Sequence, residues 1–376
     1  MQTIGDVLDR NKGVGPGFDF LRIALALSVV LAHSFQVCVG LDSGWTVQRG
    51  FLGPIMAAIL PMFFGLSGFL VMGSADRTRN TATFLTFRAL RLVPALAVEV
   101  TLSALILGTL LTRLPLSGYF SDFRVYEYFG NIIGRVRYVL PGVFDGLPVS
   151  GVINANLWTL HAELFSYFLM ACLMVTALAY RRSFITALWV TMAIAMTAYN
   201  LHSLAYEIAN GVYNAYVLVF SFVSGIVAYH WRRAIPSSNW IAALMAILAY
   251  GMLKLPYTAF IVHVPLIYLT VWIGSKRLPS TGGDFSYGVY LYSYPIQQTI
   301  VLLFPGLREW WLIFPLASAV SLLVAGLSWT FIERPALGLK RTISTMRSSA
   351  RKDILLHNTT SPELPGGCRT ESVRNG

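Results

Sequence analysis

Hydrophobic positions in this chain come in long runs, and polar positions gather in the stretches between them. The runs lie at about 20–38, 51–73, 93–111, 157–180, 184–200, 212–231, 239–253, 257–274, 285–304 and 310–332. Most approach the roughly 20 residues that a helix needs to cross a bilayer; the fifth and seventh are short for it. A lipid interior offers the backbone no hydrogen-bonding partner, so such runs are expected as helices. The predicted fold class is an all-α integral membrane protein of about ten transmembrane helices. Residues 1–17 form a polar, Gly-rich N-terminal segment without the apolar core of a signal peptide. Residues 18–339 form one polytopic membrane domain, and 340–376 a polar, basic tail with the composition of disorder.

One interruption of the pattern stands out. Arg22 and His33 lie in the first run, eleven residues apart. On a helix, eleven steps of roughly 100° return nearly to the same face, with the imidazole about 16 Å further along the axis. Ionisable groups at membrane depth are costly and usually face a cavity or a partner, so this stripe is expected to mark a working site. Asp19, at i−3 from Arg22, is placed to pair with it.

Composition and charge refine the picture. Only 12 % of residues are charged and 56 % are hydrophobic, against about 25 % charged in soluble domains, which excludes an ordinary soluble fold. The net charge of +11 would suit nucleic acid, but its placement points elsewhere. With the N-terminus inside, the inner segments carry Arg10 and Lys12, then Arg77, Arg79, Arg88 and Arg91, then Arg181 and Arg182, Arg232 and Arg233, Lys276 and Arg277, and the tail from Arg334. The outer segments carry Arg49, then Arg113, Arg124, Arg135 and Arg137 in the long loop 112–156, then Lys254 and Arg308. This positive-inside bias places both termini in the cytoplasm and makes lipid, with no nucleic acid, the expected surroundings. Cys38, Cys172 and Cys368 have neither disulfide nor metal-ligand spacing, and no metal site is expected.

Further polar residues enter at the ends of the runs. Arg88 and Arg91, one turn apart, lead into the third; beyond topology, guanidinium forks match phosphate oxygens. With Arg22 they would form a cradle for a polyanion such as the phosphates of coenzyme A. Trp158-Thr-Leu-His161-Ala-Glu163-Leu-Phe-Ser-Tyr167 opens the fourth run. His161 and Glu163 face different ways on a helix, and no HExxH zinc motif is present. Glu163 is expected either to hold an acceptor hydroxyl or partner a base, or to bridge helices. Imidazole is well suited to take a proton near neutral pH, which makes His33 the candidate general base, against a structural role bonding a neighbouring helix. Ser67 sits among Gly65 and Gly68, where close helix packing is the default. The long loop, rich in aromatic residues (Tyr119, Phe120, Phe123, Tyr126, Tyr128, Phe129, Tyr138 and Phe144), suits an interfacial belt or a stacking surface for sugars.

Together these segments resemble the acyltransferase-3 family of membrane O-acyltransferases. The matching elements are Asp19-x2-Arg22-x10-His33, Phe63-Phe-x2-Ser67-Gly-Phe69, Arg88-x2-Arg91-x2-Pro94, Trp158-x4-Glu163-x3-Tyr167, Ser286-Tyr-Gly-x-Tyr290-Leu and Phe331-Ile-Glu-x-Pro335. Each is weak alone; the ordered set, spread over 19–335, is specific. The resemblance implies acyl-CoA, acetyl-CoA or succinyl-CoA, as a donor substrate from the cytoplasm, with no bound cofactor. It implies a sugar hydroxyl of an exopolysaccharide or its lipid-linked oligosaccharide precursor as acceptor, in the bacterial inner membrane alongside polysaccharide-synthesis machinery. His33 and Glu163 would then be catalytic, and Arg22, Arg88 and Arg91 would bind the donor. Asp19, Trp158, Tyr167, Ser286 and Tyr290 would support them. One departure is Ser293, where many members carry histidine two residues before the proline. From another class, a transporter or flippase for a lipid-linked glycan or anionic metabolite would also line its path with an Arg–His face. A non-catalytic partner in polysaccharide synthesis is a third possibility.

Overall fold

A computed structural model describes residues 2–11, 13, 15–41, 50–203, 215–255, 258, 260–279 and 282–340. The expected tail beyond Lys340, with Lys12, Arg49 and Cys368, lies outside the described residues. Among the described residues the fold is all-helical, with two isolated bridges, Thr3 to Pro236 and Val139 to Val152, and no strand.

A short helix α1 (Ile4–Arg10) begins at a capping box, in which the Thr3 hydroxyl accepts from the Asp6 N–H at 3.1 Å and Asp6 accepts from the Thr3 N–H at 2.8 Å. Helix α2 (Phe18–Val39) carries the Arg22–His33 stripe. Helix α3 (Gly53–Thr78) ends at Arg79, whose left-handed backbone (φ 46°) turns the chain into α4 (Thr81–Leu102), capped by the Asn80 side chain. After α4, a π-helical turn, Ser103–Leu107, leads into a last α-turn, Gly108–Leu111. Small helices α5 (Leu116–Ser121) and α6 (Phe123–Tyr128) begin the long loop. Helix α7 (Leu160–Val175) follows a 3₁₀ turn, Ala155–Thr159. The remainder is α8 (Arg182–Ser203), α9 (Ala215–Trp231), α10 (Asn239–Met252), α11 (His263–Gly274), α12 (Ser286–Leu303) and α13 (Trp310–Ser328), the last continuing through a π-turn, Trp329–Glu333.

Among the described residues, five helices are long and apolar enough to cross a membrane: Phe18–Val39, Gly53–Thr78, Thr81–Leu111, Ala155–Val175 and Trp310–Lys340. The other expected spans fall on α8 to α12, which are shorter or less apolar. Large apolar side chains such as Phe168, Val175, Ile194, Ile247, Leu323 and Phe331 are exposed on the helix surfaces, as expected where lipid is the solvent.

Two packing features position the site. Helices α3 and α9 pack closely because glycine removes the side chains between them. A Cβ at Gly68 would lie 1.9 Å from the Phe222 carbonyl oxygen, and one at Gly225 equally close to that of Gly65. Helix α12 packs against α2, α13, α4 and the 155–159 turn. It runs parallel to α2. Arg22 meets Asp284 just before α12, the Val30 carbonyl accepts from Gln297 Nε2 at 2.7 Å, and that of Cys38 accepts from Arg308 Nε at 2.9 Å.

The long loop is a folded cap, and this corrects the expected aromatic surface. Tyr119, Tyr128 and Phe144 are fully buried, packed against α4 and the start of α7. The Tyr119 hydroxyl donates to the Ala104 carbonyl at 2.7 Å, inside the π-turn. Asn131 bonds the carbonyls of Tyr128 and Arg137, closing the loop on itself. Phe120, Phe123 and Tyr126 remain exposed. An aromatic count does not distinguish rings that fill a small core from rings that line a surface.

Candidate active site

A cavity with a water-accessible interior of about 90 Å³ opens where α2, α3, α4, α7 and α12 meet. Its polar wall is formed by Arg22, Ser67, Arg88, Arg91, Thr159, Glu163, Tyr167, Ser286, Tyr287 and Tyr290. Residues picked out from five separate segments therefore share one space.

Helix periodicity explains the convergence. Arg88 and Arg91 project from one face of α4, and Glu163 and Tyr167 from one face of α7 at i, i+4, where the Tyr167 hydroxyl donates to Glu163 Oε1 at 2.6 Å. The Tyr290 hydroxyl pairs with Thr159 Oγ1 at 2.7 Å and with the Asn156 carbonyl at 3.1 Å, joining α12 to the start of α7. His161 points outward and is exposed, so it parts company with Glu163 as the spacing predicts. Trp158 is half-buried and packs into the neighbouring apolar cluster with Phe64 and Met170; it is not a cavity wall.

The expected Asp19–Arg22 pair forms at 3.3 Å, with Asp19 largely exposed. A shorter contact was not anticipated. Asp284 Oδ2 accepts from Arg22 Nη1 at 2.8 Å and from Arg91 Nη2 at 2.6 Å, while its Oδ1 accepts from the Ser286 hydroxyl at 2.6 Å. Burial works against the Asp284 charge, but Arg91 and Arg22 outweigh it and hold the carboxyl well below the usual carboxylate range. A signal for it exists: Asp284 is the only acidic residue between Glu207 and Glu309. Arg88 has a different setting. Its Nη2 reaches Ser74 Oγ at 3.4 Å, its guanidinium lies near the Phe84 and Tyr167 rings, and its buried Nε has no partner among the described residues.

His33 lies further along α2 and is not a wall of the cavity. Its ring meets the Tyr294 ring edge-on at 5.1 Å between centroids. Tyr294 is one helical turn beyond Tyr290, so His33 stands just past the cavity's inner end. Phe63 lies between, touching the Tyr290 ring on one side and packing into the Val30–Tyr294 cluster on the other. His33 Nδ1 and the Tyr294 hydroxyl are buried without a partner among the described residues. Ser293 is buried too, and accepts from Asn156 Nδ2 at 3.3 Å.

A family model described as an acyltransferase domain, Acyl_transf_3, matches residues 16–330. The chain belongs to the acyltransferase-3 family. All of the cavity's polar walls, and His33, fall inside the matched range. Nodulation protein 10 of Rhizobium leguminosarum bv. viciae is 26 % identical over 383 residues, covering 92 % of this chain and 100 % of that protein. An O-acetyl transferase of Shigella phage Sf6 is 26 % identical over 338 residues, covering 84 % of this chain and 94 % of the phage protein. No solved structure matches the chain. This acyltransferase-3 member is a membrane protein and an enzyme that transfers acyl groups.

Proposed function

We propose that the enzyme transfers a short acyl group, acetyl or succinyl, from acyl-CoA to a sugar hydroxyl of an exopolysaccharide or its lipid-linked precursor. The enzyme would reside in the bacterial inner membrane with both termini in the cytoplasm, so that the arginine end of the cavity receives the donor. The observation that carries the reading is the convergence of Arg22, Arg88 and Arg91 on one cavity, with His33 on the same helix as Arg22 and beyond the cavity wall, against Tyr294. Arginine forks suit the donor's phosphates. The similarity to an O-acetyl transferase supports a hydroxyl as acceptor.

In this reading the thioester end passes Phe63 and Tyr290 to reach His33. The cavity of about 90 Å³ is small beside the roughly 300–1,000 Å³ of ordinary ligand pockets, so those side chains part when the donor binds. His33 removes the proton from the acceptor hydroxyl as its oxygen attacks the thioester carbonyl. A carbon–oxygen bond forms, the carbon–sulfur bond breaks, and the proton passes from the imidazole to the departing thiolate. Glu163, held by Tyr167, helps to place the acceptor.

The test is transfer of label from radioactive acetyl-CoA or succinyl-CoA to polysaccharide by the purified protein in lipid. Base-labile labelled ester on the glycan is expected with one donor. Unlabelled glycan from both donors, alongside saturable glycan flux across the vesicle membrane, would overturn the reading in favour of transport.

A further inference from the structure

We infer that Asp284 is a positioning residue of the donor site: its carboxylate sets the spacing of Arg22 and Arg91 so that their remaining N–H edges face one phosphate of the donor. The inference rests on the acyl-CoA reading above and goes beyond it, because Asp284 belongs to none of the motifs that carried that reading.

The packing shows why such a residue is needed. Arg22 is on α2 and Arg91 on α4, and these two helices make no extensive contact with each other. Each packs on α12, and Asp284 sits immediately before that helix. At this end of the bundle the carboxylate is what ties the two guanidiniums together, through one oxygen at 2.8 and 2.6 Å. The Ser286 hydroxyl fixes the other oxygen and so sets the orientation of the carboxylate.

The donor inventory shows what is left for a ligand. A guanidinium carries five N–H donors in a rigid fork. Asp19 and Asp284 both engage Nη1 of Arg22, and Asp284 engages Nη2 of Arg91. Nε and Nη2 of Arg22, and Nε and Nη1 of Arg91, have no partner among the described residues, and both side chains line the cavity. Without Asp284, two like charges would face each other across a partly buried gap and move apart. With it, their free edges are held for a bridging oxyanion, and Arg88, which has no carboxylate partner among the described residues, adds a third guanidinium to the same cavity.

The experiment compares acyl-CoA with the matching S-acyl pantetheine, which lacks the phosphates and the adenosine they carry; S-acyl 4′-phosphopantetheine, which restores a phosphate without the adenosine, separates the two. In Asp284→Asn, the KM for acyl-CoA is expected to rise about 10–100-fold, the size of a lost charge-assisted interaction, with kcat little changed. The KM for S-acyl pantetheine should stay where it is, and Asp284→Glu should restore part of the acyl-CoA value. Ser286→Ala, which keeps the charges and loosens only the carboxylate, should give a smaller shift with the same selectivity. It carries the test if Asp284→Asn does not accumulate. Equal rises for both donors, or no rise for either, would overturn the positioning role while leaving acyl-CoA as donor. A wild-type protein that uses neither donor would sink the donor reading and this inference together.

Discussion

The two ends of the α2 stripe are built differently. Around Arg22 the acidic and hydroxyl groups are paired: Asp284 with Arg22 and Arg91, Glu163 with Tyr167, Tyr290 with Thr159. What stays open there, among the described residues, is guanidinium N–H, including the buried Nε of Arg88. Around His33 the open groups are of other kinds. His33 Nδ1, the Tyr294 hydroxyl and Gln297 Oε1 are all buried without a partner among the described residues. Only the amide nitrogen of Gln297 is committed, to the Val30 carbonyl and Ser34 Oγ. An unmet buried polar atom costs about 1–3 kcal/mol, so a hydrogen-bonding group entering beside these three atoms would be stabilised there. One end of the stripe is rigid and charged, suited to holding an anion. The other has hydrogen-bonding capacity to spare for a substrate hydroxyl.

The hardest blow to that contrast is His33→Ala. Loss of a general base should lower acyl transfer by about 10²–10⁴-fold, while membrane level and thermal midpoint in detergent stay close to wild type. The imidazole makes no hydrogen bond through Nδ1 whose loss would matter for folding. Transfer assays on matched amounts of protein decide it. Full activity in His33→Ala would remove the chemical half of the comparison.

Arg91→Ala should behave in the opposite way, lowering stability as well as donor use. It leaves Asp284 with Arg22 as its remaining cationic partner. Breaking a fully buried pair costs about 3–5 kcal/mol, but Arg91 is 25 % exposed, so solvent screening brings the expectation to about 2 kcal/mol. Thermal unfolding with and without donor reads both effects. A variant that binds donor poorly yet melts like wild type would show that the pairing at this end does not hold the fold.

How much of this contrast was legible in the sequence depended on periodicity. Arg22 and His33, Arg88 and Arg91, and Glu163 and Tyr167 each lie within a single helix, and a spacing of three, four or eleven places such residues on one face. The helical elements followed from the same regularity, because backbone pairing within lipid leaves few alternatives to a helix. Asp284 escaped notice because it is in a loop and its partners are 262 and 193 positions away. No local pattern encodes that contact; only the scarcity of acidic residues around it hinted at a role. The burial of Tyr119 and Tyr128 escaped for a related reason. The loop's own small core is tied to the π-turn that follows α4, where Tyr119 meets the Ala104 carbonyl, and apolar periodicity does not reveal that turn. The position of His33 beyond the cavity wall was likewise invisible, since it depends on where Phe63 from α3 inserts.

The smallest effect should come from the residue at the junction of the two regions. Tyr290→Phe removes a neutral hydroxyl and keeps the ring that meets Phe63. The Thr159 hydroxyl would still donate to the Asn156 carbonyl at 3.1 Å, so no buried donor is stranded. A neutral hydrogen bond contributes about 0.5–1.5 kcal/mol net, or roughly 2–10-fold in kcat/KM, with little change in melting. Steady-state kinetics on both substrates would show it. A loss above about 100-fold exceeds what a neutral pair can supply. That result would mean the Tyr290 hydroxyl touches the reacting atoms, and the boundary between the holding end and the chemical end would move one helical turn toward the arginines.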